Sequence, residues 1–252
     1  MPTLQSFYFL LCLSLALPIY ASEERPVQVI PVKKVGIVNL MDNEITNMHV
    51  GFTAFGNFKQ KKIDDWGMVN YANGLIISKL ADEHIFAVVV TPPNDIVEAI
   101  KKETYWTWNG NLNVKKAGAM KVYLENEKLD AIIELRSREL DDVIGRTSIK
   151  IEGHGLYTNG SAENPDDVVV YTMYMATIFF RDPFIGSKGY QCLLADRVTL
   201  PDMKGASLKS MSLQQMESIR PYLQSQLDLM IERLLTTGRM SKKKTPDCPK
   251  FN

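Results

Sequence analysis

The chain has 252 residues, 45% of them hydrophobic, and its 29 lysines and arginines balance its 29 aspartates and glutamates. A formal net charge of zero gives no global field toward nucleic acid or an anionic surface, and nucleic-acid binding is not expected. Without a short leader about 230 residues remain, enough for one large domain or two small ones.

That leader is residues 7–19, FYFLLCLSLALPI, a run of 13 apolar residues. A transmembrane helix needs about 20, whereas a signal-peptide core is this size. Ala21 is then the last residue before cleavage, and the mature protein is periplasmic or secreted. Two features depart from the pattern: no lysine or arginine precedes the run, and Ile19 occupies the third position back. The alternative is an uncleaved anchor. Cys12 lies within the apolar core without the small residues that precede a lipidated cysteine. The expected organisation is a signal peptide at 1–21, one α/β domain at 22–238 and a basic tail at 239–252. Arg239, Lys242, Lys243, Lys244 and Lys250 make that tail basic. Cys192 and Cys248 are the two mature cysteines, natural disulfide candidates in an oxidising compartment. Their bridge would tie the tail to the domain, worth about 3–5 kcal/mol on a chain-entropy estimate. Two free thiols are the other reading. Neither cysteine has CxxC or zinc spacing, and neither a cofactor nor a metal is expected.

Residues 22–32 are a lead-in broken by Pro26 and Pro31. Lys33–Leu40, KKVGIVNL, then reads as a strand buried on both faces. A turn at Asp42–Thr46 leads to a second strand over Met48–Phe58, where Val50, Phe52 and Ala54 alternate with Gly51, Thr53 and Phe55. Lys59, Lys61 and Lys62 read as an exposed loop. Asp65–Leu80 has helical spacing, with Asp64 or Asp65 as its cap and Trp66, Val69, Ala72, Leu75 and Leu80 on one face. His84–Thr91 is a second buried strand, ended by Pro92–Pro93. Asn94 or Asp95 caps a short helix to Lys102, Thr104–Asn113 is an aromatic loop, and Val114–Asn126 is an amphipathic helix. Leu129–Leu135 is a third buried strand.

The second half is richer in strands. Thr147–Tyr157 alternates as a half-exposed strand, and Val168–Phe180 is a run of 13 residues that must bend or serve two neighbours. Together they read as a long antiparallel hairpin, with a formal glycosylation sequon at Asn159-Gly160-Ser161. Gln191–Leu200 is a further strand. Ser212 and Gln215 form a capping box before the last helix, whose stripe runs from Leu213 through Met216, Leu223 and Leu227 to Leu235. Pro221 kinks or divides that helix. The fold class is therefore α/β: a mixed sheet with parallel core strands at 34–40, 85–91 and 130–136, flanked by helices and extended by the hairpin.

Motifs for catalysis are sparse. His49, His84 and His154 lack ligand spacing, and HExxH, GxSxG, GxGxxG and phosphate-loop patterns do not occur. At the carboxyl ends of the parallel strands, where ligands bind in such sheets, stand Asn39, Asp42, Thr91, Asn94, Asp95, Arg136 and Arg138. Asp64, Asp65 and the loop of Tyr105, Trp106 and Trp108 could border the same edge. Carboxylates with aromatics suit a sugar site, but no spacing sets a glycosidase pair; helix capping and sheet-edge cover explain the same acids and arginines. The loop aromatics suggest a recognition surface, because large rings give much contact area at little entropy cost. Packing of those rings into the core is the competing reading.

The segments KKVGIVNL, the helix Trp66–Leu80, HIFAVVVT and LDAIIELRS together resemble the amino-terminal domains of TolB and related envelope proteins of the CsgG and penicillin-binding-protein-activator type. In those families a first strand opens the domain, a helix precedes another strand, and a later strand starts with Asp-Ala before an apolar run. Asp130-Ala131-Ile132-Ile133 matches that last feature. The likeness spans Val35–Arg136 and implies a non-enzymatic envelope protein that docks partners. The chain departs from it by lacking a lipidation cysteine and propeller repeats and by carrying the long hairpin, so no binding residues transfer.

The expected function is an exported envelope or secreted accessory protein that binds an envelope or extracellular protein without catalysis. Its binding surface would comprise Tyr105, Trp106, Trp108, Asp64 and Asp95. The alternative is a hydrolase with an acidic and histidine site at the strand ends, and a third is self-association through the last helix.

Overall fold

Why the chain folds as one mixed sheet is clearest from its longest apolar run, which becomes a 14-residue strand serving four neighbours. The computed structural model describes residues 31–51, 56–63, 66–145, 147–159, 167–187, 193–199, 211–241, 243 and 245–246. The apolar leader, Asp64, Asp65, Cys192, Cys248, Lys242, Lys244, Lys250 and the sequon beyond Asn159 lie outside the described residues.

In chain order the elements are β1 (Lys34–Leu40), β2 (Glu44–Val50), β3 (Phe58–Ile63), α1 (Met68–Asp82), β4 (Phe86–Val89), α2 (Asn94–Lys101) and α3 (Gly118–Asn126). There follow β5 (Ala131–Ser137), β6 (Glu139–Asp141), β7 (Lys150–Asn159), β8 (Asp167–Phe180), β9 (Ile185–Ser187), β10 (Leu193–Thr199) and α4 (Leu213–Thr237). The strands make one mixed sheet in the order β3-β2-β7-β8-β5-β1-β4, with β9 and β10 on β8 and β6 on β7.

The α/β expectation holds. β1 pairs in parallel with both β4 and β5, joining Val35 to Ala87 and Ala131. β8 meets β7 and β10 along its first half, and β5 and β9 along its second. Every neighbour of β8 is antiparallel, and the β7–β8 hairpin is formed as its alternation predicts.

Three layers of packing follow from side-chain alternation. Val35, Ile37, Ile133 and Ala176 face α1 and α4, where they meet Ile76, Leu80, Leu223 and Ile231. Val38, Ile132 and Phe179 point the opposite way, toward Ile96, Ile100, Met120 and Leu124 of α2 and α3. Beyond the helices, Met48, Ile151, Tyr157, Tyr171 and Met173 form a separate cluster against Leu140, Ile144 and Ile149. The apolar stripe of α4 from Met216 to Leu235 lies inside this core, packed against the sheet and α1 rather than presented for self-association.

Several local expectations are corrected. Lys59, Lys61 and Lys62 do not form a loop: they lie on β3, which pairs antiparallel with β2 from Glu44 to His49. Ion pairs from Lys59 and Lys61 to Glu152 at the start of β7 compensate the unusual strand composition. β4 is a sheet edge rather than a buried strand, with Phe86 63% and Val89 48% exposed. β7 is covered on both faces over residues 153–158 instead of being half-exposed. α3 starts four residues later than its spacing suggests, after a turn at 114–117. α4 is continuous through Pro221, and its capping box is complete: Gln215 donates its backbone N–H to Ser212 Oγ at 3.2 Å.

One glycine is indispensable to the topology. Gly155 of β7 lies opposite Thr46 of β2, and a Cβ there would sit 1.7 Å from the Thr46 carbonyl oxygen. Only a residue without a side chain lets these two parallel strands approach.

Candidate functional site

Residues 105–113 form a small hairpin between α2 and α3. α2 ends as Lys102 donates its backbone N–H to the Glu98 carbonyl, and Glu103 adopts a left-handed conformation with φ of 52°. The chain then turns outward. Trp106 and Leu112 form an antiparallel bridge, and Asn113 donates its backbone N–H to the Tyr105 carbonyl at 2.7 Å. Nearer the tip, Thr107 donates to the Asn111 carbonyl and Gly110 to the Thr107 carbonyl, each at 2.9 Å. Gly110 has φ of 82°, as expected for the left-handed residue that follows a tight turn in a three-residue hairpin loop. The Thr107 hydroxyl also donates to the Asn111 carbonyl at 3.0 Å and accepts from its N–H at 3.1 Å.

This framework separates the three aromatic residues that the sequence groups together. Tyr105 is a core residue, 2% exposed, and packs edge-on against Phe179 with ring centroids 6.0 Å apart. Burial, aided by the nearby Asp95 charge, pushes its hydroxyl up to about 12. Trp106 is half-buried, tilted against Phe179 at 5.8 Å, and its six-membered ring rests on Gly186 of β9. Trp108 is 99% exposed at the tip. Of the expected surface, then, Trp108 alone presents its full ring to solvent. Tyr105 is withdrawn because its ring fills the space between α2, α3 and β8.

Asp95 lies in the first turn of α2 and is exposed. It makes no side-chain cap: Pro93 occupies the cap position, and Asp95 instead favours the helix start through its charge. Asp64, the remaining residue of the expected surface, lies outside the described residues.

The hairpin is fastened to the sheet by a charged cluster. Glu134 and Arg136 lie on the face of β5 that looks toward α2 and α3, as alternation from Ile132 requires. Arg136 Nη2 donates to Glu103 Oε1 at 2.8 Å, and Nη1 donates to the Lys101 carbonyl at 3.3 Å. Arg136 Nε is 2.9 Å from Glu134 Oε1, but the pair is misaligned and is an ion contact rather than a directed hydrogen bond. Burial raises the Glu134 carboxyl to about 7 against the opposing pull of Arg136 and the Thr177 hydroxyl. Arg136 therefore does not cover an open sheet edge as expected; it holds the base of the hairpin.

Of the other strand-end groups, Asn39 is committed to the fold, whereas Asp42, Thr91 and Asn94 are exposed. Asn39 donates to the Val69 carbonyl and to Asn73 Oδ1 at 3.2 and 2.8 Å, pinning α1, while its Oδ1 accepts from Met41 N–H. Asp42 N–H donates to Ser137 Oγ at 2.8 Å. The histidines do not converge on these groups. His154 is buried against the Tyr174 hydroxyl on the α1/α4 face, opposite Glu134, and His49 stacks on Phe58 and reaches Thr158 at the far end of the sheet. Among the described residues, the hydrolase arrangement of a carboxylate beside a histidine is not assembled at the strand ends.

Asn109-Gly110 between Trp106 and Leu112 was the available signal for the hairpin, since this dipeptide marks tight turns between strands. The Glu103–Arg136–Glu134 cluster had a weaker one. Two charges at alternate positions of an otherwise apolar strand share one face, and on a buried strand they need partners there.

No family model matches this chain, and no curated protein matches it. Among solved structures the chain is similar to a hypothetical protein from Chlamydia trachomatis, with a TM-score of 0.35 and 9% identity over 80% of this chain and 98% of that one. It is also similar to a lipoprotein from Neisseria meningitidis, with a TM-score of 0.26 and 13% identity over 77% of this chain and 96% of that one.

Proposed function

We propose that the chain is an exported, non-catalytic binding protein of the cell envelope or extracellular space, and that it engages its partner through the 105–113 hairpin. The observation that carries this reading is Trp108, held 99% exposed on a hairpin whose neighbouring aromatics anchor it in the core. A large ring left in water gains on burial, and a hydrogen-bonded base reduces the ordering cost of binding. Tryptophan is also prominent among the residues that dominate binding energies.

Export is supported by the apolar run at 7–19 and its length. Among the described residues, no helix is long and apolar enough to cross a membrane. The resemblance of Val35–Arg136 to the TolB and CsgG type of envelope protein supports the same reading, since those proteins dock partners without catalysis.

Affinity capture from envelope extract tests it, comparing wild type with Trp108→Ala. Trp106 is left intact because it packs on Phe179 and Gly186. A partner retained by wild type and lost with Trp108→Ala is the expected result. Identical capture by a folded Trp108→Ala variant removes the hairpin as the docking element.

A further inference from the structure

The residues around the hairpin carry the chemistry of its partner. Residues 101–116 read KKETYWTWNGNLNVKK, with a lysine pair at each end. Lys101, Lys102, Lys115 and Lys116 are all exposed. The Asn113–Tyr105 bond joins the two ends of the hairpin, so both lysine pairs flank its neck. The single acid in the segment, Glu103, is turned to Arg136 at 2.8 Å. Of the four lysines, Lys102 reaches the exposed Glu98 at 3.1 Å. Asp95, exposed in the first turn of α2, is a further acid near Tyr105. In a chain of zero net charge, four exposed lysines at the neck of the hairpin that carries the protruding indole form a local cationic collar.

We propose that this hairpin docks on an anionic lipid surface, with Trp108 entering the interfacial layer and the lysine collar meeting acidic headgroups. The proposal rests on the binding role assigned to the hairpin above and names its partner. An indole has an apolar body and one N–H donor, which suits the headgroup level of a bilayer. Lysines extend their charged ends toward anionic headgroups while their stems accompany the apolar contact. Val114, 57% exposed beside the second lysine pair, adds apolar surface on the same segment.

A protein partner fits these features less well. Lysine is depleted in protein interfaces relative to the rest of the surface, and a ring standing clear of its neighbours needs a matching pocket. A fluid interface accepts a protruding ring without one.

The test is co-sedimentation of the mature chain, processed after Ala21, with vesicles of phosphatidylcholine alone or mixed with phosphatidylglycerol. Removal of the leader keeps the apolar run at 7–19 from supplying the binding. Binding to the mixed vesicles only is expected, with a blue shift of tryptophan emission and release as salt is raised. Trp108→Ala should abolish the shift, and Lys115→Gln with Lys116→Gln should weaken binding about tenfold or more. These positions are exposed, and unchanged circular dichroism confirms that the variants fold. Equal binding to both vesicle types, binding to neither, or undiminished binding by both variants overturns the lipid proposal. If binding to vesicles fails while wild type still captures a protein that Trp108→Ala loses, the hairpin keeps its docking role with a protein partner. If Trp108→Ala changes neither readout, both readings fall.

Discussion

The Asn113 backbone N–H and the Tyr105 carbonyl meet at 2.7 Å, and this bond joins a core residue to the neck of an exposed hairpin. On the core side Tyr105 is 2% exposed; three residues later Trp108 is 99% exposed. That gradient lets a rigid domain present one large ring to its surroundings.

The same gradient predicts opposite effects for neighbouring tryptophans. Trp106→Ala removes the ring that packs on Phe179 and Gly186, and should cost about 2–4 kcal/mol, somewhat below the range for a fully buried ring. Trp108→Ala removes no packing and should change stability by less than about 0.5 kcal/mol. Urea unfolding of both variants checks this. Equal destabilisation would mean that Trp108 packs on the domain in solution.

Gly155→Ala should be far more damaging than its size suggests. Its Cβ would meet the Thr46 carbonyl oxygen at 1.7 Å, so backbone must move rather than a flexible side chain. Because β2 reaches the rest of the sheet through β7, loss of that pairing also releases β3. A loss of about 3 kcal/mol or more is expected, at the upper end of overpacking costs. Hydrogen exchange should show protection lost first in β2 and β3. Uniform loss over all strands would show that the sheet has no separable outer part.

Much of this architecture was legible because alternation and helical spacing are local. β1, β5, β8 and the capping box of α4 follow from their own residues. β3 was not legible: Lys59, Lys61 and Lys62 look like a solvated loop until Glu152, distant in sequence, supplies their partner. β4 looks central because its residues are apolar, although among the described residues only β1 pairs with it. For the candidate site, aromatic content marks the segment that carries the exposed Trp108 ring. It could not tell Tyr105 from Trp108, since that depends on Phe179 lying behind one ring and water surrounding the other.

Asp142 should be essential to the end of the sheet where Met48, Ile151 and Tyr157 cluster. Its carboxylate accepts from the N–H groups of Ile144 and Gly145 at 2.9 Å each and of Thr147 at 3.2 Å. The Thr147 hydroxyl, at 2.6 Å, and the Tyr157 hydroxyl, at 2.9 Å, also donate to it. Burial opposes the charged form, but the donors from Thr147, Gly145 and Tyr157 together hold the carboxyl below its usual range. Asp142→Ala leaves those donors without their acceptor and should cost about 3 kcal/mol or more. The contribution of the carboxylate should be present in full above the ordinary aspartate value and lost as pH falls through the lower folded value. A wild-type and Asp142→Ala comparison that shows parallel acid unfolding would sink this assignment.

Glu134 should give the opposite pH dependence. Its carboxyl is buried on the same face as Arg136, and burial outweighs the attraction to that guanidinium, raising it from 4.5 to about 7. Arg136 is also shared with Glu103, so one positive charge faces two carboxylates. Between those pH values the folded chain holds a proton that the unfolded chain has released. Stability from this group must therefore fall as pH rises from 4.5 to about 7, and level off above it. The limiting slope is about 1.4 kcal/mol per pH unit. His49 works in the other direction, because burial lowers its value and protonation at acid pH favours the unfolded chain. Comparison with Glu134→Gln isolates the carboxyl: urea midpoints from pH 4.5 to 8 should decline more in wild type than in the variant. Since Arg136 also holds Glu103 and the Lys101 carbonyl, the decline should be accompanied by faster hydrogen exchange at residues 101–105. Parallel midpoint curves for the two proteins would show that Glu134 does not titrate in this range, and would place the pH response of the hairpin base elsewhere.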